Sequence, residues 1–128
     1  GPPVPGVGFG TGVERILLAL ARSGADLPAA ELPAVYLVAL GAEARSEVFA
    51  LAHDLRSRGV STDLDYVERS AKGQMKQAGR SGARYALIVG EQELGQQSVT
   101  VRDLHSGKEK TLPRLEAIAL VVEAKDAQ

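Results

Sequence analysis

The first residues that could do chemistry are four glycines, which alternate with larger residues and are followed closely by an arginine. Gly6, Gly8, Gly10 and Gly12 would leave one face of an extended strand bare, and Arg15 comes three residues after the last of them. A bare strand lets a planar ring approach the backbone closely, and a guanidinium matches the geometry of a phosphate. The pattern therefore suits a close partner that carries a planar ring and a phosphate. The alternative is a strand packed beneath another element, with Arg15 solvated.

A second group of charged residues is basic and local. The chain has 15 basic and 16 acidic residues and a net charge of −1, yet residues 69–90 contain five basic residues and no acidic one. Four of the five are spaced three, four and four residues apart, so they project from one side of a helix. These four are Arg69, Lys72, Lys76 and Arg80. Such a stripe is expected of a polyanion site, and its alternative is an ordinary solvated helix face.

Other site chemistries have little support. The chain has no cysteine, which excludes disulfides and thiolate metal ligands. His53 and His105 have no second ligand at a metal spacing, so we expect solvated histidines and no metal. No apolar run approaches the roughly 20 residues that cross a bilayer, and the Gly- and Pro-rich start lacks the regions of a signal peptide. We therefore expect a cytoplasmic protein without membrane contact.

The apolar patterns predict the elements that position these residues. Before a linker at 23–33, the glycine strand leads into an amphipathic helix whose apolar residues span 13–20. After the linker, the pattern predicts the order strand, helix, strand, helix, strand, strand, strand, helix. Residues 85–89 are expected to be a central strand, and Ser106-Gly107 the turn of an antiparallel pair at one side of the sheet. The sequence therefore predicts an α/β fold with a mixed five-stranded sheet flanked by helices.

Local signals refine these elements. Gly79 and Gly82 are expected to break the second helix after the linker, and Pro113 is expected to open the last helix. The three tyrosines are expected to pack in the core or at a sheet edge, because they lie within apolar strands. These tyrosines are Tyr36, Tyr66 and Tyr85.

Two stretches resemble a known family. The residues from Gly8 to Arg15 resemble motif 3 of class II aminoacyl-tRNA synthetases, and the residues before them are of the kind found in the histidine-specific branch. Most of the remainder resembles the anticodon-binding domain shared by the histidyl, threonyl, prolyl and glycyl enzymes. Residues 65–66, 69–78 and 81–85 match the histidyl type in identity and spacing.

The resemblance covers nearly the whole chain and implies the C-terminal part of a histidyl-tRNA synthetase. It implies the end of the catalytic domain at 1–22, the linker at 23–33, the anticodon-binding domain at 34–124 and a tail at 125–128. The full-length enzyme would use ATP with Mg to activate histidine and would transfer it to a histidine-specific tRNA. The expected partners are that tRNA and the rest of the synthetase chain. The full-length enzyme is expected to be a homodimer, and this chain alone monomeric, inactive and without a cofactor.

The resemblance also implies roles for particular residues. In the full-length enzyme, Gly10 and Gly12 would lie at the adenine and Arg15 would meet the ATP phosphates. The stripe defined above would contact the tRNA backbone. The loop at 90–94 and the following strand would face the anticodon bases, with Glu91, Glu93 and Arg102 as readers. Carboxylates suit this task because they accept hydrogen bonds from base amino and imino groups that a single-stranded loop exposes.

Two alternatives remain at this point. One is a synthetase-like module without catalysis that binds RNA or protein for regulation, and upstream sequence with or without motifs 1 and 2 would decide between it and the enzyme. The other is a flavodoxin-like nucleotide domain. It is disfavoured because Gly41-Ala42-Glu43, after the first strand of the second part, places an acid where a phosphate-cradling loop would lie.

Overall fold

The computed structural model describes residues 1–26, 29 and 31–126, which divide into two units, Gly1–Ala30 and Glu31–Gln128. The first unit contains the predicted amphipathic helix, α1, at Val13–Arg22, and no residue of α1 is buried. The helix ends at Ser23, and Gly24 then adopts a positive φ of 71°. No helix among the described residues is long and apolar enough to span a membrane.

The strand predicted over the alternating glycines is wrong. Residues 1–12 form no strand in the described part of the chain. A Cβ added at Gly6, Gly8 or Gly10 would meet no other group of the described residues within 4 Å, so none of those residues packs against the bare side of this stretch. Alternation makes residues suitable for a strand, but the strand itself is held by hydrogen bonds from a neighbouring strand, which a local pattern cannot supply.

The second unit is built on the predicted mixed five-stranded sheet. Its strands are β1 at Val35–Ala39, β2 at Thr62–Leu64, β3 at Tyr85–Val89, β4 at Ser98–Asp103 and β5 at Glu109–Pro113. Its helices are α2 at Ala44–Ser57, α3 at Ala71–Arg80, α4 at Glu91–Gln96 and α5 at Arg114–Asp126. The spatial order is β2-β1-β3-β4-β5, with β1 parallel to β2 and β3, and β4 antiparallel to β3 and β5. The central position of β3 and the antiparallel pair at one side are both as predicted.

Alternate residues of β1 face two helical layers, which places α2 and α3 on opposite faces of the sheet. Val35 and Leu37 pack into the larger core, together with residues of α2 and α5. Tyr36 and Val38 pack into a smaller core with Ala78 of α3. The helix α3 therefore rests on the sheet through fewer apolar side chains than α2 does.

A buried amide fixes the start of α3 against the sheet. Gln74 is only 5% exposed. Its Oε1 accepts a hydrogen bond from the Ala39 N–H, and its Nε2 donates to the carbonyl groups of Ala39 and Arg69, each at 2.9 Å. Because all of these bonds lie in a partly buried site, they define the position of α3 along β1 more closely than apolar contact would.

Three boundary predictions are wrong. Residues 91–96 form helix α4 rather than a loop, α3 continues through Gly79 to Arg80, and Pro113 is the last residue of β5 rather than the first of α5. Gly79 is exposed, and an interior glycine costs a helix only about 1 kcal/mol, which tertiary contacts can offset. β5 is an edge strand, which tolerates proline.

The prediction that all three tyrosines pack in the core or at a sheet edge is wrong for Tyr66. Tyr36 is 4% exposed and Tyr85 is half-buried, but Tyr66 is 60% exposed. The reason is that β2 ends at Leu64, so the alternation from Val60 to Tyr66 continues past the last residue that pairs with β1.

We expect Gln74→Ala to lower the free energy of unfolding by about 1–3 kcal/mol, because the partly buried backbone groups of Ala39 lose their partner. The matched control is Gln77→Ala on the same helix. Its side chain makes no hydrogen bond among the described residues, so a change within about 0.5 kcal/mol is expected. Urea unfolding of the three proteins measures both effects, and equal stabilities would contradict the role assigned to Gln74.

Candidate nucleic-acid interface

The carboxyl ends of the parallel strands form the edge at which chain segments from both faces meet. After β1 the chain crosses to α2 on one face of the sheet, and after β2 it crosses to α3 on the other face. Connections that diverge in this way leave a crevice beyond the strand ends in which ligands can bind. The Leu40 N–H donates to the Val89 carbonyl at 2.8 Å, and a Cβ added at Gly90 would lie 3.3 Å from the Leu40 Cβ. Glu91 follows Gly90 directly and Glu93 lies in the same first turn of α4, so the structure places both at this edge.

The Glu93 carboxylate is oriented by two internal hydrogen bonds. Its Oε2 accepts from the Gly90 N–H at 3.0 Å, and its Oε1 accepts from the Thr100 hydroxyl at 2.8 Å. The first bond satisfies a free N–H at the start of α4 and so stabilises this end of the helix. Glu91, in contrast, is exposed and has no hydrogen-bond partner among the described residues. Only Glu93 is therefore held in one orientation.

Arg102 lies on the α3 side of the sheet, in line with Thr100. Both alternate with Val99 and Val101, which are buried in the larger core on the other face. The Arg102 guanidinium forms an ion pair with Glu109 of β5 at 3.0 Å, and its side chain is 40% exposed. An exposed ion pair contributes little stability, so a stronger acceptor can displace Glu109. Glu93, Thr100 and Arg102 together are called the polar row.

Three of the four predicted stripe residues form an outward-facing ridge on α3. Taking about 100° per residue, these three lie within an arc of about 80° on the side away from the buried Gln74 and Ala78. All three are exposed, and none forms an ion pair with another described residue. They are called the cationic ridge and comprise Lys72, Lys76 and Arg80.

Arg69 differs from the other stripe residues because it precedes α3 and is bound to Asp65. Its backbone N–H donates to Asp65 Oδ2 at 2.8 Å, and its guanidinium donates to Oδ1. Burial raises the pKa of the Asp65 carboxyl, but these hydrogen bonds and the charge of Arg69 together outweigh burial, so the pKa is lowered. The Asp65 side chain is only 4% exposed. This pair closes the loop between β2 and α3.

Comparison with known proteins bears on the family of this chain and on the arrangement of its sheet and helices. A family model described as an anticodon binding domain matches residues 34–124. The chain belongs to the anticodon-binding domain family. This confirms the resemblance to that domain, and the mixed five-stranded sheet is confirmed by the solved structures that match it.

The chain is also similar to longer enzymes. It is 50% identical over 112 residues to a histidine-tRNA ligase of Pelotomaculum thermopropionicum and 53% identical over 110 residues to one of Rubrobacter xylanophilus. These matches cover 88% and 86% of this chain but only 26% and 25% of the relatives. An apo histidyl-tRNA synthetase structure from S. aureus matches with a TM-score of 0.68 and 34% identity, over 86% of this chain and 28% of that one. The chain therefore spans about a quarter of the length of the curated relatives it matches.

The residues predicted to meet ATP lie in the first unit, apart from the anticodon-binding domain in sequence. Gly12 precedes α1 in an extended conformation, and the exposed Arg15 side chain lies beside it, with Cγ 3.7 Å from a Cβ added at Gly12. A Cβ added at Gly10 would meet no group of the described residues within 4 Å. The described residues therefore place the Arg15 side chain beside Gly12 but not beside Gly10, and the roles of all three residues stay predictions.

Two residues that shape the anticodon-binding domain site were missed in the sequence. Gln74 falls at the apolar spacing of α3, between Ala71 and Ala78. A polar residue at such a core position was the sign in the sequence that its side chain forms buried hydrogen bonds. Thr100 joins Glu93 to β5, because its hydroxyl also lies 2.8 Å from that of Thr111. Its only signal in the sequence is its place between two buried valines.

We expect Asp65→Asn to lower the free energy of unfolding at neutral pH, and we expect the difference from wild type to shrink as the pH falls. An aspartate whose pKa is lowered in the folded protein stabilises it above the unfolded pKa of about 3.9, and this contribution is lost as the pH falls through the folded value. Thermal unfolding between pH 7 and pH 2 should show the wild-type and variant curves converging at low pH. Asp126→Asn, at the exposed end of α5, is the control. A constant difference between wild type and Asp65→Asn would contradict the assignment.

Proposed function

We propose that this chain binds the anticodon loop of a histidine-specific tRNA as the C-terminal part of a histidine-tRNA ligase. The observation that supports it most is the cationic ridge, whose three exposed charges have no ion-pair partner among the described residues, on a domain that matches the anticodon-binding family. Phosphate contacts position an RNA, and contacts to base edges specify it. The ridge suits the first task and the polar row suits the second.

We propose for Glu93 and Arg102 the roles of base readers, with Glu91 as a further contact. Glu93 supports this role through its fixed orientation, because a positioned acceptor loses little freedom when a base binds. Arg102 would exchange its exposed ion pair with Glu109 for a base edge. Arg69 would contribute its charge while it remains bound to Asp65, and the cationic ridge would follow the phosphates.

The proposal extends to the domains and to the whole enzyme. We assign residues 34–124 to the anticodon-binding domain, 1–22 to the end of the catalytic domain, 23–33 to the linker and 125–128 to the tail. In the whole enzyme, which we place in the cytoplasm as a homodimer, Arg15 would hold the phosphates of ATP with Mg, and Gly10 and Gly12 would lie against the adenine. One arginine and two glycines cannot position an adenylate for reaction, so this chain alone should lack activity and need no cofactor.

We expect Lys72→Ala to weaken binding to all tRNAs alike and to reduce the dependence of log K on log salt by about 1, because one phosphate contact is lost. The matched control is Arg58→Ala, which removes an exposed cation at the end of α2, the helix on the opposite face of the sheet from α3. Filter binding across a salt series measures both quantities. A Lys72→Ala variant with the wild-type slope would exclude the ridge from the interface.

We expect Arg102→Ala to cost about 1–3 kcal/mol in binding to the cognate tRNA and little with a tRNA whose anticodon is replaced. Glu109→Gln is the control, since it removes the internal partner of Arg102 and should leave cognate affinity equal or higher. Competition binding with the two tRNAs measures the discrimination. A Glu93→Ala/Arg102→Ala double variant that still distinguishes the anticodons would show that the readers lie elsewhere.

A further inference from the structure

A second cleft lies between β2 and α3, at the β2 edge of the sheet and three strands away from β4, which carries Thr100 and Arg102 of the polar row. Its volume is about 390 Å³, within the range of small-molecule sites. It is lined by residues from β1, β2, the loop that follows β2, and the second half of α3. Those that bear on its chemistry are Tyr36, Asp63, Tyr66, Arg69, Gln77 and Arg80. None of the proposed base readers lines it.

The cleft presents an exposed aromatic ring that is already oriented. Tyr66 is 60% exposed, and its hydroxyl accepts a hydrogen bond from Arg56 Nη2 at 3.0 Å. Arg56 is itself fixed, because the same nitrogen donates to the Thr62 carbonyl at 2.8 Å. A ring held from one end keeps its face available while losing little freedom on contact. Stacking of bases on aromatic side chains is a principal means by which proteins bind single-stranded nucleic acid.

The polar groups around this ring are suited to the rest of a nucleotide. Arg80 is exposed and has no ion-pair partner among the described residues, so its charge is available for a phosphate. Gln77 and Tyr36 also line the cleft, and the Gln77 side-chain amide and the Tyr36 hydroxyl form no hydrogen bond with other described residues. An amide and a hydroxyl can both donate and accept, which suits the edge of a base.

The cleft is continuous with the surface proposed above to bind RNA. Arg80 belongs both to the cleft and to the cationic ridge, which runs for about 12 Å along α3 from Lys72. The distance from β4 to β2 is three strand spacings, about 14 Å. A nucleic acid strand that follows the ridge to Arg80 would therefore reach the cleft that Tyr66 lines.

We propose that a nucleotide next to the anticodon bases enters this cleft, with its base stacked on Tyr66 and its phosphate bound by Arg80. The proposal rests on the proposed tRNA function and adds a second, sequence-tolerant contact to it. Because a stacking surface accepts any base, this contact would contribute affinity without distinguishing one anticodon from another.

The first test is a binding series with tRNA in which only the ring is altered. Tyr66→Leu should weaken binding about 5- to 100-fold for cognate and non-cognate tRNA alike, whereas Tyr66→Phe keeps the stacking face and should remain within about threefold of wild type. Leu115→Ala, which removes an apolar side chain 71% exposed on α5, controls for general surface effects. Thermal unfolding of each variant shows that a loss of binding is not a loss of folding.

The second test locates the contact directly. In a complex with tRNA that contains 5-iodouridine, irradiation should join the RNA to the peptide that contains Tyr66, and mass spectrometry identifies the residue. If wild type binds tRNA and Lys72→Ala weakens binding, but Tyr66→Leu binds as wild type and cross-links map elsewhere, the cleft proposal fails and the tRNA function stands. If wild type does not bind tRNA, both fail.

Discussion

The interface depends on the bonds made by one buried amide. Gln74 joins the end of β1 to the first turn of α3, with bonds to the Ala39 N–H and to the carbonyls of Ala39 and Arg69. α3 has a thin apolar side, so packing alone would allow it to slide or tilt over the sheet. The amide removes that freedom, because any shift would leave partly buried polar groups without partners. The position of α3 in turn sets the positions of the cationic ridge, of the Asp65–Arg69 pair and of one wall of the cleft between β2 and α3.

The proposed base readers already have partners inside the protein, and this sets what RNA binding requires of them. Glu93 caps α4 and also accepts from Thr100, so both of its oxygens have a donor before a base arrives. A carboxylate oxygen has a further lone pair, so a base can bind without breaking the cap. Arg102 must exchange Glu109 for its ligand. Glu93 is thus oriented in advance, whereas Arg102 is only lightly restrained.

The charges of the domain are separated by function. The ridge cations lie on the outer side of α3 and have no ion-pair partner among the described residues, whereas Arg114 is committed to structure. Arg114 donates to Glu47 at 2.6 Å and to Asp54 at 2.7 Å, which ties the start of α5 to α2. Burial lowers the pKa of Arg114, but the two carboxylates outweigh it and raise the pKa overall. A net charge near zero therefore conceals one surface with a local excess of positive charge.

The sequence by itself determined the parts of the fold that depend on local pattern. Residues 85–89 are apolar throughout because their strand is central, and the amphipathic period of α1 and the turn at Ser106-Gly107 need only neighbouring residues. The resemblances to motif 3 and to the anticodon-binding domain also follow from the sequence alone. The features that only the tertiary structure decided depend on contacts between residues that are far apart in the sequence. The strand predicted over the glycines does not form in the described part of the chain. The start of α4 is stabilised because Glu93 accepts a hydrogen bond from the Gly90 N–H and is held by Thr100, and Tyr66 is exposed because β2 stops at Leu64. Gln74 shows the physical reason most clearly, since nothing local to α3 indicates that its amide will meet the backbone of Ala39, 35 residues earlier.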